Sequence, residues 1–405
     1  MKTDESLANP QKPQTSKNSY KESINHMPKK PKHKIPSYKP YFPKTALKYV
    51  KNTIRSGWIS STAGEYLDKC EEELKRILGV KYVILVSSGT AAMHLIARIM
   101  RKTYPENYNV VGPNNCYMSA WNAWLYDQSQ HPITLTSIEP DLQTWNMDIN
   151  QITPSLNNTI MMIVHTHGNI INVPKIKRDH PDLIIIEDNC EGLFGKYEQI
   201  YSGTVSQASA ISFFGNKTIT SGEGGAILTN DPNVNDEARL LKNQGQSKIR
   251  YHHDVLGYNY RFTNLQAAIL FSQLEEINQI MKKKTEIYQT YKEMMLNIKD
   301  VWPQYVPPET THGKWTFGIR FINDPGYQQK EEYYRNEQIE IRSMFPPINA
   351  HGYAKQITSI NGYEYAKKLY DECIILPSYP DLTLREIEWI IYITKKYKER
   401  SCRPH

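Results

Sequence analysis

The chain has 405 residues, 39% hydrophobic and 11% aromatic, with a formal net charge of +7. It is too apolar for a wholly disordered chain and too long for one small domain, so two or three packed units are expected. No apolar run approaches the ~18 residues of a membrane helix, no hydrophobic signal core opens the chain, and five scattered cysteines (Cys70, Cys116, Cys190, Cys373, Cys402) form neither a thiolate metal site nor a disulfide scaffold. The expectations are a cytoplasmic location, no membrane attachment and no bound metal.

The basic character sits at the N-terminus. Residues 1–45 hold ten lysines against Asp4, Glu5 and Glu22, which accounts for the whole +7 and leaves the remainder neutral. With seven prolines in the same stretch, residues 1–34 read as a disordered basic tail, either a solvated arm or a polyanion contact. A nucleic-acid partner is not expected, because the body carries no excess charge. Helices are predicted over 43–55 and 65–78, with the Gly57-Trp58 pair marking the gap. Strands are predicted at 81–86, 109–112, 132–136, 159–164, 182–186, 208–214 and 225–229, with helices over 91–100 and 117–127 among them. This alternation predicts an α/β domain with a largely parallel sheet over 35–280. A long, bent helix over 264–296 leads out of it into a smaller α+β unit over 281–405 that ends in a helix over 384–397.

Open α/β sheets bind ligands beyond the carboxyl ends of their strands, and three such ends carry chemistry. The run 212–225 presents Lys217 after a Gly-Asn turn and before a glycine cluster. A lysine desolvated there is an amine nucleophile, although alone the pattern also fits a surface lysine in a turn. It is not a P-loop, because the required Gly-Lys-Ser/Thr spacing is missing. The apolar strand 183–186 runs into Glu187-Asp188, where an isolated acid is more often a cap. The small-residue turn Ser87-Ser88-Gly89-Thr90 opens a helix whose free N–H groups make an anion cradle. A phosphate cradle, an acid and an amine together are the needs of pyridoxal 5′-phosphate (PLP).

The motifs Ser-Ser-Gly-Thr-Ala-Ala at 87–92, Glu-Asp at 187–188, Ser-Phe-Phe-Gly-Asn-Lys-Thr-Ile-Thr-Ser-Gly-Glu-Gly-Gly at 212–225 and Gly-Tyr-Asn-Tyr-Arg-Phe-Thr-Asn at 257–264 stand in one order. In that order the chain resembles the DegT/DnrJ/EryC1/StrS family of PLP-dependent sugar aminotransferases from Ile35 to Tyr397, closest to its perosamine-synthase branch. The resemblance implies the fold-type I, aspartate aminotransferase-like class, with a mostly parallel seven-stranded mixed sheet. It assigns Lys217 as the Schiff-base lysine and proton carrier, Asp188 to the pyridine nitrogen and Glu191 to the ring hydroxyl. Gly89, Thr90 and Ser212 would hold the phosphate, with Asn259 completing it from a neighbouring subunit of a homodimer with shared active sites. Tyr117 would stack on the cofactor, His165 would lie near its face, and His312, Trp315 and Arg342 are candidates for the sugar nucleotide.

Three positions depart from the family pattern: Ser137 replaces a common Asp, Cys116 a common Thr, and Thr166-His167 an aliphatic-Tyr pair. A dehydratase branch carries His in place of the lysine, and Lys217 argues against it. The implied reaction moves the amino group of L-glutamate to C4 of a nucleotide-linked 4-keto-6-deoxyhexose, giving a perosamine- or viosamine-type sugar for a glycan. Amination at C3, and a non-catalytic PLP scaffold whose basic tail binds a polyanion, are the alternatives.

Overall fold

The computed structural model describes residues 27–401 except 62, 107–108, 127–132 and 152–157. The proposed disorder of residues 1–26 therefore lies outside the described residues. A mixed sheet of eight strands organises the first two-thirds of the chain. From edge to edge the strands are Tyr82–Val86, Gly225–Thr229, Ala208–Ser212, Ile184–Asp188, Thr159–Val164, Asn109–Pro113, Thr134–Ile138 and Ile357–Ser359. Gly225–Thr229 runs antiparallel to both of its neighbours, and every other pairing is parallel.

The eighth strand corrects the expected seven. Ile357–Ser359 leaves the C-terminal unit and pairs in parallel with the edge at Leu135–Ser137. Three residues give no periodicity to read, yet they cover an otherwise open strand edge.

Side-chain alternation splits the core by sheet face. Ile160, Met162, Ile186, Ala208 and Ala210 pack with the helix Gly89–Thr103 and with Trp121 and Trp124. Met161, Ile163 and Ile185 face the other way, against Val173 and Ile176. Val83, Leu85, Ile211 and Leu228 meet the helices Glu65–Leu78 and Asn264–Glu275. The predicted long helix breaks at Glu276, whose backbone (φ −104°, ψ 15°) leaves helical geometry before Ile277–Met295 begins.

The C-terminal unit is built on four antiparallel strands in the order Val301–Pro303, Phe317–Phe321, Cys373–Leu376 and Arg342–Ser343. The helix Leu384–Ser401 packs beside them. Residues 27–34 are not a free tail. Lys30 pairs with Glu337 at 2.8 Å and lies over the Trp389 ring, while His33 and Lys34 contact Glu386 at 3.0 Å and Glu340 at 3.3 Å. Ile35 then buries itself in the C-terminal core. Lysine and proline content signalled solvation, but the acids that receive these side chains lie some 300 residues away and leave no local trace.

Among the described residues no helix is long and apolar enough to cross a membrane. Ile186 is completely buried two residues before Asp188, so its packing fixes the strand that presents that acid. Ile186→Ala should cost about 3 kcal/mol, by transfer and cavity terms together. A urea midpoint that moves by less than a fifth of that equivalent would show that the strand end is held by other contacts.

Candidate active site

Gly89 makes the site possible. A Cβ there would lie 2.9 Å from both Cys190 Sγ and Ser212 Cβ, so only glycine lets the helix start approach these two strand ends. Ser88 caps that helix by accepting from Ala91 N at 3.0 Å, leaving the N–H groups at its start free for an anion. Ser212 Oγ accepts from Phe214 N at 3.3 Å, so its own proton remains available to donate. Behind this cradle, a Cβ on Gly225 would sit 2.7 Å from Gly89 N.

The cradle opens into a cavity of about 470 Å³. Lys217, Gly89, Thr90, Ser212, Glu191 and Tyr117 all line it, and so do Trp315 and Arg342 from the C-terminal unit. Lys217 Nζ lies 3.8 Å from the centre of the Trp315 ring. Its turn is closed by Lys217 N donating to Phe214 O at 2.9 Å and held by Trp315 Nε1 donating to Asn216 O at 2.8 Å. Tyr117 stands 63% exposed at the mouth, its loop tied down by Trp121 Nε1 donating to Pro113 O.

Asp188 is buried at its strand end, where Oδ1 accepts from Cys190 N at 3.1 Å. Its charge acts on Cys190 and Glu191, both in the cavity wall. Glu191 is fully enclosed, and burial pushes its carboxyl up to about 7 even though Lys217 and the His167 N–H, 2.7 Å from Oε2, pull it down.

Three expected residues are elsewhere. His165 does not line the cavity: it projects from the opposite sheet face, with Nε2 2.8 Å from Glu187 Oε2 and Nδ1 accepting from Ile171 N. Alternation puts Glu187 and Asp188 on opposite faces, so the histidine follows Glu187 and not the site. His312 is completely buried, with Nδ1 accepting from Lys314 N and Nε2 3.3 Å from Gln304 Oε1, and it too is outside the cavity wall. Asn259 is exposed, paired by a backbone bridge to Asn243, and does not face the cavity of its own chain.

The sequence reading missed His167 and Phe345 as wall residues. His167 stacks on Trp315 at 5.5 Å and on Phe345 at 5.1 Å, each pair within about 10° of parallel. Its Nε2–H donates to Met344 Sδ at 3.0 Å and Nδ1 accepts from the Thr316 hydroxyl at 2.9 Å. Burial, reinforced by the charge of Lys217, drops its pKa to about 3, so the stacked imidazole is neutral at any working pH. The signal was present as an unexplained departure at Thr166-His167. The left-handed backbone at His167 (φ 56°) that swings the ring inward is invisible to periodicity.

The donor set fits PLP. An anion cradle at a helix terminus and a single lysine amine over an aromatic face meet in one cavity, and the buried carboxylate of Asp188 lies directly behind its wall, bonded to Cys190 N.

Comparison with known proteins agrees. A GDP-perosamine synthase of Escherichia coli O157:H7 is 32% identical over 370 residues, covering 90% of this chain and 98% of that one. A GDP-perosamine synthase of Vibrio cholerae is 31% identical over 377 residues, covering 90% and 99%. Among solved structures, a Helicobacter pylori aminotransferase involved in pseudoaminic acid biosynthesis superposes with a TM-score of 0.81 at 21% identity, covering 91% of this chain and all of that one. With the DegT/DnrJ/EryC1/StrS aminotransferase model matching residues 41–394, the chain belongs to that family of PLP-dependent sugar aminotransferases.

Proposed function

We propose that this enzyme moves the amino group of L-glutamate to C4 of a nucleotide-linked 4-keto-6-deoxyhexose, giving a 4-amino-4,6-dideoxy sugar nucleotide of the perosamine or viosamine type. The observation that carries this reading is the near end-to-end match to two GDP-perosamine synthases, together with a cradle and an amine in one cavity and the carboxylate of Asp188 just behind its wall. When bound, PLP supplies the electron sink that makes a carbanion next to nitrogen tolerable.

The protein's share is placement. Lys217 would bind the cofactor covalently and then hold and move the proton at the reacting carbon, its Nζ kept close to the cavity by the Trp315 face. Asp188 would hold the ring nitrogen protonated. Glu191, its carboxyl largely protonated below neutral pH, can there donate toward the ring hydroxyl. The Gly89 and Thr90 N–H groups and Ser212 would orient the phosphate, and Tyr117 would cover the ring. The stacked, uncharged wall of Trp315, His167 and Phe345 would exclude water opposite. Asn259, exposed and turned from its own cavity, would serve the partner subunit of a homodimer.

Amination at C3 uses the same machinery and differs only in sugar placement. A polyanion-binding arm is disfavoured for the described basic residues, because Lys30 and Lys34 already contact Glu337 and Glu340.

The decisive test offers PLP-loaded enzyme glutamate, removes the excess, and then supplies GDP-, dTDP- and UDP-linked 4-ketosugars and 3-ketosugars while cofactor absorbance is followed. Glutamate should change the spectrum and one 4-ketosugar should restore it. Restoration by a 3-ketosugar alone would reverse the positional assignment. Lys217→Ala should lower transfer by about 10²- to 10⁴-fold or more, the scale of losing a placed proton carrier.

Glu191 yields a stability prediction. Its folded pKa of about 7 lies above the ordinary 4.5, so the native state binds more protons than the unfolded one between those values. Stability is therefore contributed below pH 4.5 and lost as pH rises to 7. In PLP-free protein, wild type should weaken relative to Glu191→Gln across that window by on the order of 3 kcal/mol, then run parallel above it. Parallel urea midpoints throughout would mean the carboxyl titrates normally.

A further inference from the structure

The segment that follows the basic tail touches both walls of the cavity. Ile35 fixes its register, with Ile35 N donating to Gln338 O at 2.8 Å and Glu340 N donating to Ile35 O at 2.9 Å. Two residues on, Ser37 Oγ donates to Glu340 Oε1 at 3.1 Å and accepts from Arg342 Nε at 3.0 Å. One proton and two lone pairs let a hydroxyl do both at once. The next residue turns to the opposite wall, where the Tyr38 hydroxyl donates to the backbone carbonyl of Lys217. Burial raises the pKa of that phenol against the pull of Arg342, so it stays a donor.

Two consecutive residues therefore hold the two basic residues that line the cavity, Arg342 by its side-chain Nε and Lys217 by its backbone carbonyl. Among the described residues Ser37 is the only hydrogen-bond partner of the Arg342 guanidinium. Both terminal NH₂ groups remain, in the forked geometry that matches a carboxylate or a phosphate.

We propose that Ser37 and Tyr38 are positioning residues: Ser37 aims the Arg342 fork at an anionic group of the substrate, and Tyr38 fixes the turn that presents Lys217. One dipeptide then sets the distance between the anion site and the reacting amine. This rests on the amine-transfer reading of the cavity. The anion is either a carboxylate of the amino donor or the diphosphate of the sugar nucleotide.

The test needs no turnover for its main arm. Full-length PLP-loaded enzyme is titrated with glutarate, which carries the donor's carboxylates, and with inorganic pyrophosphate, and binding is read from cofactor absorbance. Ser37→Ala should weaken one of the two about tenfold, the scale of one hydrogen bond to a charged group. Arg342→Gln should weaken the same anion at least as much, and Ser37→Thr should restore it. Loss for glutarate assigns the fork to the donor, and loss for pyrophosphate assigns it to the nucleotide. Tyr38→Phe should leave both affinities in place while slowing glutamate conversion of the cofactor equally at every glutamate concentration. If Arg342→Gln weakens binding and Ser37→Ala does not, Ser37 does not aim the fork. If neither weakens binding, Arg342 is not the anion site. A Tyr38→Phe enzyme as fast as wild type removes the second half of the proposal. Failure of every ketosugar with these effects intact would strike only the substrate assignment.

Discussion

The site depends on a close approach between backbones. The first turn of the helix Gly89–Thr103 lies so near Cys190, Ser212 and Gly225 that no side chain fits at Gly89 or Gly225. That contact brings a helix terminus, with its partial positive charge, to the ends of the sheet's central strands. Everything polar in the cavity is arranged around it. Asp188 ends one strand behind the wall, Glu191 follows it into the cavity, Ser212 ends the next strand, and Lys217 emerges five residues later from a turn. A methyl group at either glycine would separate these elements before it touched any ligand.

Charge in the cavity is controlled by enclosure. Glu191 and His167 are both sealed from solvent, and burial drives each toward its neutral form: the acid is pushed up and the imidazole down. Neutrality leaves few ions to compete for the phosphate, the ring nitrogen and the amine. The same logic holds beneath the wall. Lys284 is completely enclosed, donates to the carbonyls of Trp315 and Ser378, and has its pKa drawn down to about 7 by burial. It fastens the helix Ile277–Met295 to the backbone that carries the indole.

The residues legible in the sequence were those whose placement follows from local pattern. A strand, a small-residue turn and a helix start drew attention to Gly89 and Thr90, an apolar run meeting an acid to Asp188, and a glycine cluster after a lysine to Lys217; each is weak alone, and only their order in the chain joined them. Each lies within a few residues of its structural cause. His165 and His312 lie outside the cavity wall because a histidine near a motif can belong to either sheet face, or to the core, without changing the motif. Phe345, Ser37 and Tyr38 were missed for the opposite reason. They come to the cavity wall, or to residues that line it, from distant parts of the chain, and no spacing records a contact across 179 residues such as that of Tyr38 with Lys217. The eighth strand escaped for the same reason.

That eighth strand bears on how the protein is made. Synthesis runs from the N-terminus, and the strands from Tyr82 to Thr229 emerge well before Ile357–Ser359, which cover the edge at Thr134–Ile138. Until the ribosome has passed residue 359, a nascent sheet exposes a row of unpaired backbone donors and acceptors, the surface on which neighbouring chains aggregate. The C-terminal unit thus acts as the late clasp of the earlier one. A chain released before that point would lack more than a domain, because the sheet it had already built would be left with a sticking edge.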